Sequence, residues 1–130
     1  MTEDMRAVLI VDGANVVGSV PDGWWRDRHG AAERLRDRLV PLAESGAVGL
    51  EPPLEVILVV EGRARDVAGV PGVRVEAAPG SGDDLIVELA GAARAAGAAG
   101  RRCVVVTADR ELRRRVEAHG AECVGPRAVR

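Results

Sequence analysis

Three short apolar runs, each followed by an acidic residue, constrain this chain more than any other feature. The runs and the acids that follow them are residues 7–11 with Asp12, residues 56–60 with Glu61, and residues 104–106 with Thr107-Ala108-Asp109. Short uncharged runs that end at turn signals are typical of strands buried on both faces of a parallel sheet. The chain is therefore expected to build its core around buried parallel strands.

Segments with helical periodicity separate these runs. Between residues 31 and 43 the apolar residues recur at helical spacing, and the charged residues fall off that stripe. A second apolar-periodic segment begins at Asp83-Asp84 and extends to residue 99, and residues 110–119 form a charged segment that ends at Gly120. We predict a helix in each of these three segments.

Strands that alternate with helices predict a doubly wound parallel sheet. Weaker strand patterns at residues 73–77 and 121–124 bring the expected number of strands to about five, in an order such as 3-2-1-4-5 with the first strand in the middle. A length of 130 residues fits one core. We therefore predict an α/β fold in which residues 1–130 form a single domain.

Composition narrows the class of protein further. Phe and Tyr are absent, so the core must consist of Val, Leu, Ile and Ala, and Cys103 and Cys123 are expected to be small buried residues on strands. The acidic N-terminus lacks the basic start of a signal peptide, and the apolar runs are far shorter than the ~20 residues of a membrane span. We expect a cytoplasmic protein that does not enter a membrane. All 18 basic residues are Arg.

Acidic residues map to one edge of the predicted sheet. Asp12 and Asp109 follow strands, and Asp83-Asp84 begin a helix that starts at the same edge, where open parallel sheets bind ligands. Each acid alone is explained by a turn or a helix cap. Together, crowded carboxylates repel one another unless a cation compensates them, and oxygen ligands suit Mg²⁺ or Mn²⁺. The pattern predicts a site for one of these metals.

Several other α/β classes are excluded by missing residues. The chain has no G-x-x-x-x-G-K-[ST] phosphate loop and no G-x-G-x-x-G after the first strand. A phosphoacceptor receiver domain needs a Lys, which the chain lacks. Phosphatases of the haloacid dehalogenase type require an Asp two residues after the first one, where this chain has Ala14.

Three segments carry a resemblance to a known family. The segments VLIVDGANVVGS, GSGDDLIVELA and VVVTADREL resemble the NYN domain family, PIN-like ribonucleases that include the YacP-like proteins. The resemblance implies a PIN-like fold in which Asp12, Asp83, Asp84 and Asp109 bind a divalent metal for RNA phosphodiester hydrolysis, while Asn15 orients the site. Ala14 stands where many YacP-like members have an aromatic residue, and Glu61 stands where Asp is common.

Residues near the end of the first predicted strand are candidates for substrate binding. Trp24 and Trp25 can stack on bases, and Arg26 and Arg28 can contact phosphates. The alternative for either Trp is a place on the small-residue core. Both readings stay open for each ring.

The leading hypothesis for function is a metal-dependent endoribonuclease with RNA as its partner. Two alternatives stay open at this point. One is a phosphohydrolase acting on nucleotides or other small phosphates, because the same carboxylates would serve. The other is an RNA-binding regulatory module with little turnover. A homodimer is also left open.

Overall fold

The computed structural model describes residues 4–130 and contains one parallel sheet of five strands. The strands are β1 (Ala7–Asp12), β2 (Leu54–Val60), β3 (Arg74–Ala77), β4 (Cys103–Val106) and β5 (Glu122–Val124). Their order in the sheet is β3-β2-β1-β4-β5, which confirms the predicted α/β fold and places β1 at the centre. Most of the acidic N-terminal segment, residues 1–3, lies outside the described range.

Within residues 4–130, five α-helices connect and flank the strands. They are α1 (Gly13–Gly18), α2 (Arg28–Leu39), α3 (Leu42–Ser45), α4 (Gly82–Ala95) and α5 (Arg110–Glu117). The core on one face of the sheet includes residues from α1 and α2, and the core on the other face includes residues from α4 and α5. Successive residues of β1 alternate between these faces, as the pleat of a strand requires: Leu9 and Val11 belong to the first core, and Val8 and Ile10 to the second. The fold therefore has three layers.

Three helical segments differ from the sequence-based prediction, one of them only in length, since α4 ends at Ala95 and not at residue 99. The helix expected over residues 31–43 is divided, because α2 ends at Leu39 and Pro41 precedes α3. A proline ring lacks an N–H and clashes with the carbonyl four residues earlier, so a continuous helix is interrupted there. The helix α1 was not predicted, since the Asp12-Gly13 pair suggested only a turn.

Strand register sets the position of the acids. Asp12 lies opposite Val59 of β2, and Val11 lies opposite Val106 of β4. The three central strands therefore end at nearly the same level, and the residues that follow them meet at one edge, which we call the carboxyl edge. Within residues 4–130, no helix combines the length and the apolar character needed to cross a membrane.

Gly13, the first residue of α1, allows the chain to turn close against β2. A β-carbon placed on Gly13 would lie 2.5 Å from the carbonyl oxygen of Val59. Since that neighbour is backbone in the middle of the sheet, it cannot move aside as a flexible side chain would. Only glycine fits this contact.

We predict that Gly13→Ala destabilises the protein by about 1–3 kcal/mol, the usual cost of forcing an extra group into a packed interior. The measurement is the free energy of unfolding in urea, and the matched control is Gly80→Ala. A β-carbon at Gly80 meets nothing within 4 Å, so this control should change stability little. Equal stabilities for the two variants would contradict the close contact.

Candidate metal and nucleic-acid site

An open cleft of about 360 Å³ lies at the carboxyl edge of the sheet. Four carboxylates line it, together with small and polar residues: Asp12, Ala14, Asn15, Glu61, Ser81, Asp83 and Asp109. Of the predicted site residues, Asp12, Asn15, Asp83 and Asp109 thus come together. We call this the acidic cleft.

Asp12 is the most buried of the four acids, with only 6% of its surface exposed. It caps the N-terminus of α1 by accepting a hydrogen bond from the backbone N–H of Asn15 at 3.4 Å. Its other oxygen accepts a bond from the hydroxyl of Thr107 at 2.9 Å, and Thr107 is fully buried. Both carboxylate oxygens are therefore held in place.

Thr107 and Asn15 connect Asp12 to the loop that follows β4. The Thr107 hydroxyl accepts a hydrogen bond from the backbone N–H of Asp109 at 3.1 Å, and the Asn15 side-chain oxygen accepts one from the N–H of Ala108 at 2.9 Å. Asp109 in turn caps α5 by accepting from the N–H of Leu112 at 3.0 Å. In this network Asn15 is a positioning residue that ties α1 to the β4–α5 loop.

Glu61 and Asp83 form the opposite side of the cleft. The backbone N–H of Gly82, the first residue of α4, donates to a carboxylate oxygen of Glu61. The N–H of Asp83 donates to the hydroxyl of Ser81 at 3.2 Å. Because Glu61 accepts this hydrogen bond from the first residue of α4, it lies next to Asp83 on one side of the cleft.

Burial and the neighbouring acids raise the pKa values of two of the four carboxyl groups. Burial is the main cause that raises the pKa of Asp12 to about 6, with Asp83 and Glu61 adding repulsion and the bonds from Thr107 and Asn15 opposing the rise. Burial also raises the pKa of Asp83 above its ordinary value, followed by repulsion from Asp109 and Glu61. The cleft is therefore a region where negative charge is disfavoured and a cation is favoured.

Asp84 differs from the expectation drawn for it. Its side chain is 83% exposed, pairs with Arg115 at 2.8 Å, and does not line the acidic cleft. Helix phase explains the difference, because Ile86 and Ala90 define the buried face of α4 and Asp84 starts the stripe that continues to the exposed Glu88. The two adjacent aspartates thus point in different directions.

The donor set of the cleft fits a hard divalent cation in its chemistry. All the charged groups that line it are carboxylates, and neither His29 nor His119 takes part. Among residues 4–130, no group of three or more acidic, histidine or cysteine side chains is arranged as it stands to hold a metal ion. The fit therefore rests on oxygen ligands, charge and burial, and the metal-binding roles stay predictions.

None of the predicted substrate-binding residues lines the acidic cleft, and the two Trp residues lie in different settings. Trp24 is partly buried and packs against the core, whereas Trp25 is 56% exposed, and the two rings meet edge to face at 6.0 Å. Arg28 lies over the Trp24 ring at 5.4 Å, and Arg26 over the Trp25 ring at 5.9 Å. Trp24 therefore takes the core position that the sequence leaves open for either ring, whereas Trp25 is free to meet solvent.

Two residues of the site were missed by sequence reasoning. Thr107 lies in the segment VVVTADREL, but no sequence signal identifies its hydroxyl as the partner of Asp12. Glu61 was noted as a departure from the family pattern and was not assigned to the site. Its place at the end of a strand was the same signal that singled out Asp12.

We predict that Asp12→Asn stabilises the protein at about pH 7.5 by roughly 1–3 kcal/mol. The folded pKa of Asp12, about 6, exceeds that of an unfolded Asp, so ionising Asp12 costs stability as pH rises from about 4 to 6, and the full cost persists above that range. Asn can keep the helix cap without the charge.

The measurement is urea denaturation of both proteins at about pH 7.5 and at about pH 4, where the difference should nearly vanish. Asp66→Asn, at an exposed position, serves as the control and should change little. A variant no more stable than the wild type at the higher pH would show that the Asp12 charge is not buried at a cost.

Comparison with known proteins supports the fold. No protein-family model and no curated protein matches the sequence. Two crystal structures of Rae1 (YacP) from Bacillus subtilis are similar: each alignment covers 93% of this chain and 70% of that chain at 19% identity, with a TM-score of 0.73 for one and 0.67 for a point mutant. The chain has the α/β fold of Rae1 (YacP), and the resemblance to YacP-like NYN domains is confirmed at the level of the fold.

Proposed function

We propose that this protein is a metal-dependent endoribonuclease that hydrolyses RNA phosphodiester bonds in the acidic cleft. The observation that carries the proposal is the gathering of four carboxylates in one open cleft, with Asp12 buried among them. Three of these acids, Asp12, Asp83 and Asp109, are the ones that the resemblance to NYN domains connects with metal binding. The fold shared with Rae1 (YacP) supports the same assignment. We also propose that the protein acts in the cytoplasm.

The residues that would hold the cation are Asp12, Glu61, Asp83 and Asp109. When bound, Mg²⁺ or Mn²⁺ supplies Lewis acidity that activates water and offsets charge on a phosphate. The chain itself contributes position: Thr107 and the N-terminus of α1 hold Asp12, while the N-terminus of α5 holds one oxygen of Asp109. The bond from Gly82 uses one oxygen of Glu61, so the other oxygen is available to a ligand.

The distribution of arginines supports a polyanionic substrate at this edge. At the opposite edge of the sheet, arginines are paired with carboxylates: Arg6 with Asp4, Arg74 and Arg101 with Glu55, and Arg102 with Glu122. Around the carboxyl edge, Arg115 pairs with Asp84, but four exposed arginines have no ion-pair partner among residues 4–130: Arg26, Arg28, Arg63 and Arg110. Unpaired arginines can contact phosphates along a strand.

A metal-dependent rise in thermal stability is the first expected outcome. A ligand that binds only the folded state stabilises it by RT ln(1 + [L]/Kd), so millimolar Mg²⁺ or Mn²⁺ should raise the melting temperature. In Asp12→Asn the rise should be smaller than in the wild type, whatever the stability of the metal-free variant. Differential scanning fluorimetry at near-neutral pH, with Na⁺ at matched ionic strength as the control, measures both. An unchanged melting temperature in the wild type would count against the metal site.

The catalytic prediction compares Asp83, which lines the acidic cleft, with the neighbouring Asp84, which does not. Asp83→Asn and Asp12→Asn should each lower RNA cleavage by about 100-fold or more, which corresponds to about 2.7 kcal/mol of lost transition-state stabilisation. Asp84→Asn removes the same charge one residue away but breaks only an exposed ion pair with Arg115, which solvent screens. It should retain activity within about threefold.

The assay is cleavage of an RNA pool by tag-free protein in Mg²⁺, Mn²⁺ or EDTA, with a nucleotide panel run in parallel. Wild-type protein in EDTA should match Asp12→Asn. RNA cleavage that survives both EDTA and Asp12→Asn would overturn the mechanism. Hydrolysis of nucleotides without cleavage of RNA would replace the endoribonuclease by a nucleotide phosphohydrolase.

A further inference from the structure

A second, more enclosed pocket of about 230 Å³ adjoins the acidic cleft. It lies between α1, the start of α2 and the single turn of 3-10 helix at Gly62–Ala64 that follows β2. Ala14 and Glu61 line both the pocket and the cleft, so the two spaces share a wall. A chain that passes through the cleft can therefore place a neighbouring group in the pocket.

The lining of the pocket suits a flat ring with polar edges. Its apolar side chains are those of Ala14, Val17, Trp24, Ala32, Val60 and Ala64. Its polar side chains are one cation, Arg28, and one anion, Glu61. The Trp24 ring offers a surface for stacking, and the Arg28 guanidinium offers hydrogen-bond donors to the edge of a heterocycle.

The size of the pocket restricts its occupant. Pockets for drug-sized ligands have volumes of ~300–1,000 Å³, so a space of about 230 Å³ is suited to a single ring system. A base within a duplex is stacked on both faces and cannot leave the helix without the cost of unpairing. A base in a single strand is free to enter.

We propose that this pocket receives one unstacked nucleobase of the RNA strand whose phosphodiester lies in the acidic cleft. The inference rests on the proposed function for the presence of RNA in the cleft. Trp24 lines the pocket and supplies its aromatic surface, whereas the exposed Trp25 lies outside the pocket lining. Arg28 lies over Trp24 and can contact the edge of the base or its phosphate.

The chain offers a direct optical test. Trp24 and Trp25 are its only Trp residues, and Phe and Tyr are absent. In Trp25→Leu, the fluorescence reports on Trp24 alone. We would titrate this variant, in EDTA so that metal-dependent cleavage cannot occur, with a short single-stranded oligoribonucleotide, with its abasic counterpart of equal length, and with a fully paired RNA duplex.

The expected result is quenching of Trp24 by the single strand, with little quenching by the abasic strand or by the duplex. Quenching of equal size by all three would overturn the base pocket, because phosphate contacts alone would then explain the signal. The same titration of Trp24→Leu, which leaves Trp25 as the reporter, should show a weaker dependence on the bases.

A pocket-filling variant gives a second test that does not depend on fluorescence. Ala14→Leu places a larger side chain on the shared wall and should weaken single-strand affinity about tenfold, within the range expected for losing one base stack. The matched control is Ala92→Leu, an exposed position on α4 on the other face of the sheet, which should change affinity less than about twofold. Equal affinities for the two variants, with melting temperatures preserved, would overturn the proposal.

These outcomes are separable from the fate of the nuclease proposal. Base-dependent quenching in EDTA with no metal-dependent cleavage would retain the base pocket and remove the ribonuclease. Metal-dependent cleavage of single strands and duplexes at equal rates, together with base-independent binding, would retain the ribonuclease and remove the base pocket.

Discussion

The hydrogen bond from Thr107 to Asp12 is the interaction on which the rest of the site depends. It joins the ends of β1 and β4, which are far apart in sequence and adjacent in the sheet. The same hydroxyl accepts from the N–H of Asp109, and Asn15 closes a second link through the N–H of Ala108. Removing the Thr107 hydroxyl would leave a buried carboxylate with less compensation and would loosen the loop that positions Asp109.

The central place of β1 explains why Asp12 is the buried member of the cluster. Strand β1 lies between β2 and β4 in the sheet. At its end, Gly13 lies so close to Val59 of β2 that there is no room for a side chain. The other acids stand on elements nearer the rim of the cleft, where water reaches them. The site therefore combines one desolvated carboxylate with three more accessible ones, an arrangement that favours a cation over added negative charge.

Sequence patterns were sufficient for the sheet and for part of the site. The apolar runs located all three central strands, and the acids at their ends identified the carboxyl edge, because both signals depend on local sequence. What escaped prediction depends on three-dimensional detail. The short helix α1 is capped by Asp12, and the same Asp12-Gly13 pair is equally typical of a turn. Asp84 points away from Asp83 because of the helix phase. The position of Glu61 depends on its contact with Gly82.

The pocket beside Trp24 owes much of its space to residues that have almost no side chain. Gly13, Ala14, Ala32, Gly62 and Ala64 contribute half of its lining, and none of them has a rotatable side chain to order on binding or to fill the space when the pocket is empty. A ligand that enters meets walls already in place. Binding then requires little reorganisation of the protein, and less of the interaction free energy is lost. Even a small contact surface can therefore distinguish a strand that has a base at this position from one that lacks it.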